Sequence, residues 1–174
     1  MTMSRLADQI REAVAAFAEL TLPPALIGGL ALAAHKVVRA TRDVDFLADA
    51  DDAEKLHEML LQLGYRCVHR SADAANYLRG DEGLDLLYAH RPEARRLLRE
   101  ANHRESGLGP LRVVSAEGLI GFKLQGYVND PRRAQDLEDI RGLLRVNAET
   151  LDMVEVRRYF ALFDREALLD DLSR

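Results

Sequence analysis

Apolar side chains recur every three or four residues at Leu6, Ile10, Val14, Phe17 and Leu20, which predicts an amphipathic helix over 4–20. Pro23-Pro24 stops it. A short apolar run, Ala25-Leu26-Ile27, reads as a buried strand leading into Gly28-Gly29, and 30–37 reads as a second helix. Over 43–48 the period changes to two, with Asp43 and Asp45 alternating with Val44 and Phe46, so this is a strand with one acidic and one apolar face. Helical spacing returns over 51–63, capped by the carboxylates at 49–52 and closed by Gly64. Strands are predicted over 65–69, 76–79 and 84–88, with a turn at Asp81-Glu82-Gly83 before the last of them.

Beyond this the pattern becomes helical. A helix over 92–101 is followed by a loose segment over 103–110 and a short strand over 111–114. Ser115 then caps a helix reaching about residue 128, with Glu117 in its first turn. Pro131 is placed to open a helix over 131–144, and 149–172 holds one or two more. The expected class is α+β: a small mixed β-sheet with helices on one face over 1–114, and a C-terminal helical region over 115–174 that closes a cleft.

Composition narrows the options. Hydrophobic residues make up 48% and charged residues 30%, as in an ordinary globular chain. No apolar run is long enough to span a bilayer, and the N-terminus lacks the pattern of a signal peptide, so a cytoplasmic location is expected. Cys67 is the only cysteine, which excludes an internal disulfide and a cysteine-based zinc site. The net charge of −5 argues against a general nucleic-acid coat protein. Arg91, Arg95, Arg96, Arg99 and Arg104 form a local basic cluster, which reads first as a solvated helix face.

The candidate chemistry lies between Gly28 and Asp85. Residues two apart on a strand share a face, so Asp43 and Asp45 project together and repel each other unless a cation lies between them. A divalent ion with hard oxygen ligands, Mg²⁺ or Mn²⁺, suits such a pair. Asp85, in Gly83-Leu84-Asp85-Leu86, offers a third carboxylate from a neighbouring strand. Gly28-Gly29 stands at a strand-to-helix junction, where backbone amides can approach an anion closely.

Gly28-Gly29, a helix, then Arg39-x-Thr41-x-Asp43-x-Asp45 resembles the signature of the polymerase-beta-like nucleotidyltransferase superfamily, and within it the AbiEii-like small bacterial nucleotidyltransferases. The resemblance is strongest over 26–47. It extends to Lys123 in Gly121-Phe122-Lys123-Leu124 and to Asp136 and Asp139 in Gln135-Asp136-Leu137-Glu138-Asp139. It implies a metal-dependent transfer of a nucleoside monophosphate from an NTP to a hydroxyl of an RNA, protein or small-molecule acceptor. The implied roles are metal binding and catalysis for Asp43, Asp45 and Asp85, phosphate binding for Gly28, Gly29, Arg39, Thr41 and Lys123, and support from Asp136 and Asp139. It also implies Mg²⁺ or Mn²⁺ as cofactor and NTP as substrate. A toxin-type enzyme acting on tRNA or protein, with an antitoxin partner, is one form of the activity, and a small-molecule modifier is another. The sequence departs from many competent members in carrying Gly29 where they have a serine. The alternative reading is therefore a binding or regulatory module of the same fold without catalysis. His35, His57, His69, His90 and His103 show no ligand spacing and read as structural, with His35, nearest the site in sequence, the one kept as a candidate; Tyr77, Tyr88 and Tyr127 read as packing residues before base-stacking ones.

Overall fold

The structure, a computed structural model, describes residues 3–106 and 109–174. The chain divides into two compact units: Met1–Leu30 with Ala40–Val114, and Ala31–Arg39 with Ser115–Arg174. Among the described residues, no helix is long and apolar enough to cross a membrane.

The first unit is built on a seven-stranded mixed sheet, larger than the sequence pattern announces. Its strands are β1 (Ala25–Ile27), β2 (Asp43–Asp49), β3 (Arg66–Arg70), β4 (Ala74–Arg79), β5 (Glu82–Ala89), β6 (Asn102–Ser106) and β7 (Gly109–Val113), in the order β3-β4-β5-β2-β1-β7-β6. β2 runs parallel to β5 and β1 parallel to β7, and the other neighbours are antiparallel. The predicted loose segment over 103–110 is largely the β6/β7 hairpin; its residues 107 and 108 lie outside those described. Polar residues such as Asn102 and His103 hid this edge strand, because an edge strand needs no alternating apolar face. The turn before β5 also falls earlier than predicted. Gly80 takes a left-handed φ of 62°, and Glu82 already pairs with Arg79.

Helix α1 (Met3–Phe17) places Leu6, Ile10, Ala13 and Phe17 at helical spacing, and all four are buried. The Phe17 ring meets Phe46 of β2 edge-on, with centroids 5.1 Å apart, a contact worth about 1 kcal/mol beyond burial alone. Phe46 lies opposite Leu86 and Val44 opposite Leu84 in the parallel register, and all four are buried. Helix α3 (Ala53–Gln62) faces the same side, with His57 Nδ1 2.9 Å from the hydroxyl of Tyr77, which pairs with Leu84. One face of the central strands is thus sealed by α1 and α3, and the acidic residues of β2 point to the other. α4 (Pro92–Arg99) contacts β2 and β5.

α2 (Gly28–Ala34) begins directly at β1, earlier than predicted, and the division between units falls within it. The second unit also holds α5 (Ala116–Asn129), α6 (Ala134–Val146), α7 (Met153–Leu162) and α8 (Glu166–Leu172). Ser115 caps α5 as predicted, its hydroxyl accepting from the Gly118 amide at 3.1 Å. α6 starts three residues after Pro131. The Asp130 carboxylate accepts both the Arg132 amide and its guanidinium, making a local turn that delays the helix. Leu119, Ile120, Leu124, Ile140, Leu143, Val156 and Phe160 are buried in this unit. Gly121 lets the Tyr159 ring of α7 lie against α5, since an added Cβ would stand only 3.3 Å from that ring.

Candidate active site

The strand β2 reads exposed at Asp43, buried at Val44, half-buried at Asp45 and buried at Phe46. The apolar residues anchor the strand in the core, and the pleat therefore carries Asp43 and Asp45 to one shared face. Paired residues in neighbouring strands share a face, so the register extends this surface sideways. One row across the sheet runs Asn76 of β4, Asp85 of β5, Asp45 of β2 and Ile27 of β1. The adjacent row carries Leu78, Gly83 and Asp43.

Glycines make room for both acids. Gly28 adopts φ 70°, and a Cβ there would lie 2.1 Å from Asp45 Oδ2. A Cβ on Gly83 would lie 2.2 Å from Asp43 Oδ1. Contacts that short do not exist between real atoms, so any side chain at either position displaces a carboxylate. Gly29 makes the same allowance for Thr41, whose Cβ and Oγ1 lie 2.8 and 2.9 Å from where a Cβ would be. The Thr41 hydroxyl in turn donates to the Asp43 carbonyl at 3.2 Å, fixing the start of β2.

Like charge accumulates on this face. Loss of water around its carboxylate, then the neighbouring charge of Asp85, push the Asp43 carboxyl above its ordinary value, against the opposing pull of Arg42. Asn76 Nδ2 donates to Asp85 Oδ1 at 2.8 Å. Among the described residues, no three His, Cys, Asp or Glu side chains are gathered closely enough to cage a metal by themselves. An Asp pair on one face, hard oxygen donors and seats that a Cβ would fill do fit a Mg²⁺-type ion that completes its shell with water and substrate phosphates.

The helical unit contains a second charged cluster. Asp136 and Asp139, one turn apart on α6, are 3% and 2% exposed. Lys123 Nζ of α5 lies 2.9 Å from Asp139 Oδ2 and 3.4 Å from Asp136 Oδ1. Arg39 donates to Asp139 through Nε at 3.0 Å and Nη2 at 3.2 Å, and Gln135 Nε2 adds a third donor at 3.0 Å. Arg133 Nε lies 2.9 Å from Asp136 Oδ2. Burial alone would raise the Asp139 carboxyl, but the hydrogen bonds from Lys123 and Gln135, the Lys123 charge and the Arg39 bond outweigh it and hold it below its ordinary value. Asp139 therefore contributes stability in full above its unfolded value, about pH 4, and loses it as pH falls through the lower folded value. Acid melting curves between about pH 2 and 6 should flatten in Asp139→Asn relative to the wild type. At pH 7, Asp139→Ala should cost about 3 kcal/mol, because Lys123 and Arg39 lose their shared partner.

The sequence matches, over residues 1–161, the family described as "Uncharacterised nucleotidyltransferase". The chain belongs to this nucleotidyltransferase family. No curated protein matches this nucleotidyltransferase. Among solved structures, the antibiotic-resistance factor ANT(2'')-Ia is similar over 98% of this chain and 97% of its own, with 23% identity and a TM-score of 0.72. The same factor in complex with adenylyl-2''-tobramycin is similar over 94% of this chain and 99% of its own, with 23% identity and a TM-score of 0.68. The lincosamide antibiotic adenylyltransferase LnuA, lincomycin-bound, is similar over 84% of this chain and 98% of its own, with 16% identity and a TM-score of 0.59. At these identities the likeness is one of fold, and it matches the expected α+β nucleotidyltransferase architecture.

Within the sheet unit of the nucleotidyltransferase, the structure brings together Gly28, Gly29, Thr41, Asp43, Asp45 and Asp85. Arg39, Lys123, Asp136 and Asp139 meet one another in the helical unit. The sequence reading missed Gly83 and Asn76. Gly83 carried a usable signal, since it stands two residues before Asp85 and so shares its face. Asn76 carried none, because its role depends on the register of β4 against β5. Two members of the arginine cluster, Arg95 and Arg96, are salt-bridged at the surface. Arg95 lies 3.4 Å from both Asp49 and Asp51, and Arg96 lies 2.6 Å from both Glu93 and Glu100. Tyr77 and Tyr88 are buried packing residues.

Proposed function

We propose that this nucleotidyltransferase moves a nucleoside monophosphate from an NTP to a hydroxyl of a small-molecule acceptor, with release of pyrophosphate. The observation that carries the reading is the placement of Asp43 and Asp45 on one face of β2, each carboxylate seated over a glycine. Asp43 and Asp45 would hold Mg²⁺ or Mn²⁺. When bound, such an ion neutralises the carboxylates and the triphosphate and orients the phosphorus for attack. Gly28 and Gly29, where α2 begins, would offer backbone amides to a phosphate. Thr41 keeps the first acid in place through the Asp43 carbonyl. A small-molecule acceptor is supported by the similar structures, one carrying adenylyl-2''-tobramycin and one carrying lincomycin.

The test is a transfer assay with each of the four NTPs labelled at the α-phosphate. Acceptors are a panel of aminoglycosides and lincosamides, total cellular RNA and total cellular protein. Metal-dependent label on a small molecule, with stoichiometric pyrophosphate, is the expected result. Label on tRNA or protein would instead assign the acceptor to the toxin-type, AbiEii-like activity. Absence of transfer from every NTP with both Mg²⁺ and Mn²⁺ would overturn the reading and leave a binding module.

A further inference from the structure

We propose that the cavity between α1 and the β6/β7 hairpin is a second binding site, which takes a small organic carboxylate with an apolar body such as one aromatic ring. The inference does not depend on the proposed nucleotidyl transfer. The cavity measures about 190 Å³ and lies wholly within the sheet unit. Val14 and Phe17 of α1, Leu26 of β1, Phe46 of β2 and Leu111 of β7 form much of its apolar wall. Phe46 belongs to the apolar face of β2, so the cavity is on the side of the sheet opposite Asp43 and Asp45. An apolar cavity of about 150 Å³ holds benzene, so one ring fits this space.

The polar side chains lining it are Arg112 and His103, paired across the hairpin. The Arg112 guanidinium donates through Nη1 to the carbonyl of Pro23, itself a lining residue, and through Nη2 to the Leu98 carbonyl at 2.6 Å. Carbonyl oxygens hold the fork in place but carry no net charge to balance it. A guanidinium has further N–H donors beyond those two bonds. Burial lowers Arg112 below its ordinary guanidinium value, and no carboxylate opposes that effect. Arg79 of the same unit shows the contrast, since Glu12 and Glu82 neutralise it. A half-buried cation beside apolar surface favours an anion that pairs with it, and the planar fork matches a carboxylate. Inorganic phosphate would leave the apolar wall uncovered, and a neutral hydrocarbon would leave the charge unanswered. A carboxylate on a ring satisfies both.

The test is a fluorine NMR titration of 4-fluorophenylacetate against the full chain. EDTA is present, so that no divalent ion at the acidic face can attract the carboxylate. Saturable binding with a Kd of roughly 0.1–1 mM is expected, the scale for a ligand of this size. 4-Fluorophenylacetamide has the same shape without the charge and should bind about tenfold more weakly or worse. Val14→Phe fills the cavity from α1 and leaves Arg112 untouched, so it should lose binding by about tenfold or more while still unfolding cooperatively. Arg112→Met keeps the side-chain stem and should bind acid and amide alike. If removing the donor from the Pro23 and Leu98 carbonyls unfolds that variant, the amide comparison and Val14→Phe still decide the matter. No saturable binding up to about 10 mM would overturn the proposal. Equal affinity of the wild type for acid and amide would overturn it too, as would binding by Val14→Phe within about threefold of wild type.

Discussion

Asp43→Asn should lose metal-dependent transfer roughly a thousandfold, equivalent to about 4 kcal/mol of transition-state stabilisation, while its melting temperature stays equal to or above that of the wild type. The two halves of this expectation have one cause. Asp43 sits beside Gly83, partly stripped of water and under the charge of Asp85, so the folded chain bears a repulsion that the amide variant removes. A group that disfavours folding yet lies on the shared acidic face is what the proposed cation site requires. Asp45→Asn should lose transfer to a similar extent. Rates measured at saturating NTP, alongside thermal unfolding of the same preparations, check both halves. Near wild-type transfer by Asp43→Asn would remove it from the site.

The second large effect is expected at Gly28. Alanine there meets two penalties at once. The backbone sits at φ 70°, where a Cβ costs about 1–2 kcal/mol, and the new methyl would fall 2.1 Å from Asp45 Oδ2. Relief of the overlap must come from the carboxylate or from the strand, at a further cost of about 1–3 kcal/mol. A destabilisation of roughly 3 kcal/mol corresponds to about 6–12 °C in melting temperature for a chain of this size. Transfer should fall with it, because the displaced atom is the proposed cation ligand. Gly83→Ala separates the two penalties. Gly83 is absent from the left-handed positions, so its added methyl acts through Asp43 alone. Thermal unfolding and transfer rates of both variants check the argument. Wild-type stability in Gly28→Ala would show that the seat is not tight.

Much of this site could be read from the chain because it is local. Two acids alternating with Val44 and Phe46 fix their common face, and a glycine pair at a strand-to-helix junction fixes where the backbone is bare. The less legible parts depend on pairing at a distance. Gly83 matters because β5 lies parallel to β2 with Gly83 opposite Asp43, and Asn76 because β4 then puts it opposite Asp85. Strand β7 was partly foreseen over 111–114, and its hairpin partner β6 escaped notice because edge strands need not alternate. The late start of α6 came from the Asp130 carboxylate, which captures the Arg132 amide and holds Pro131 outside the helix. The charged residues of the helical unit were visible as a pattern. The pairing of Arg39 with Asp139 was not, since it spans a hundred residues of sequence.

Paramagnetic broadening of backbone amide signals by substoichiometric Mn²⁺ in the presence of ATP tests the central claim most directly. The account predicts that signals of Gly28, Asp43, Asp45 and Gly83 broaden first, and that Asp45→Asn abolishes the effect. Broadening that leaves these four residues sharp would contradict it.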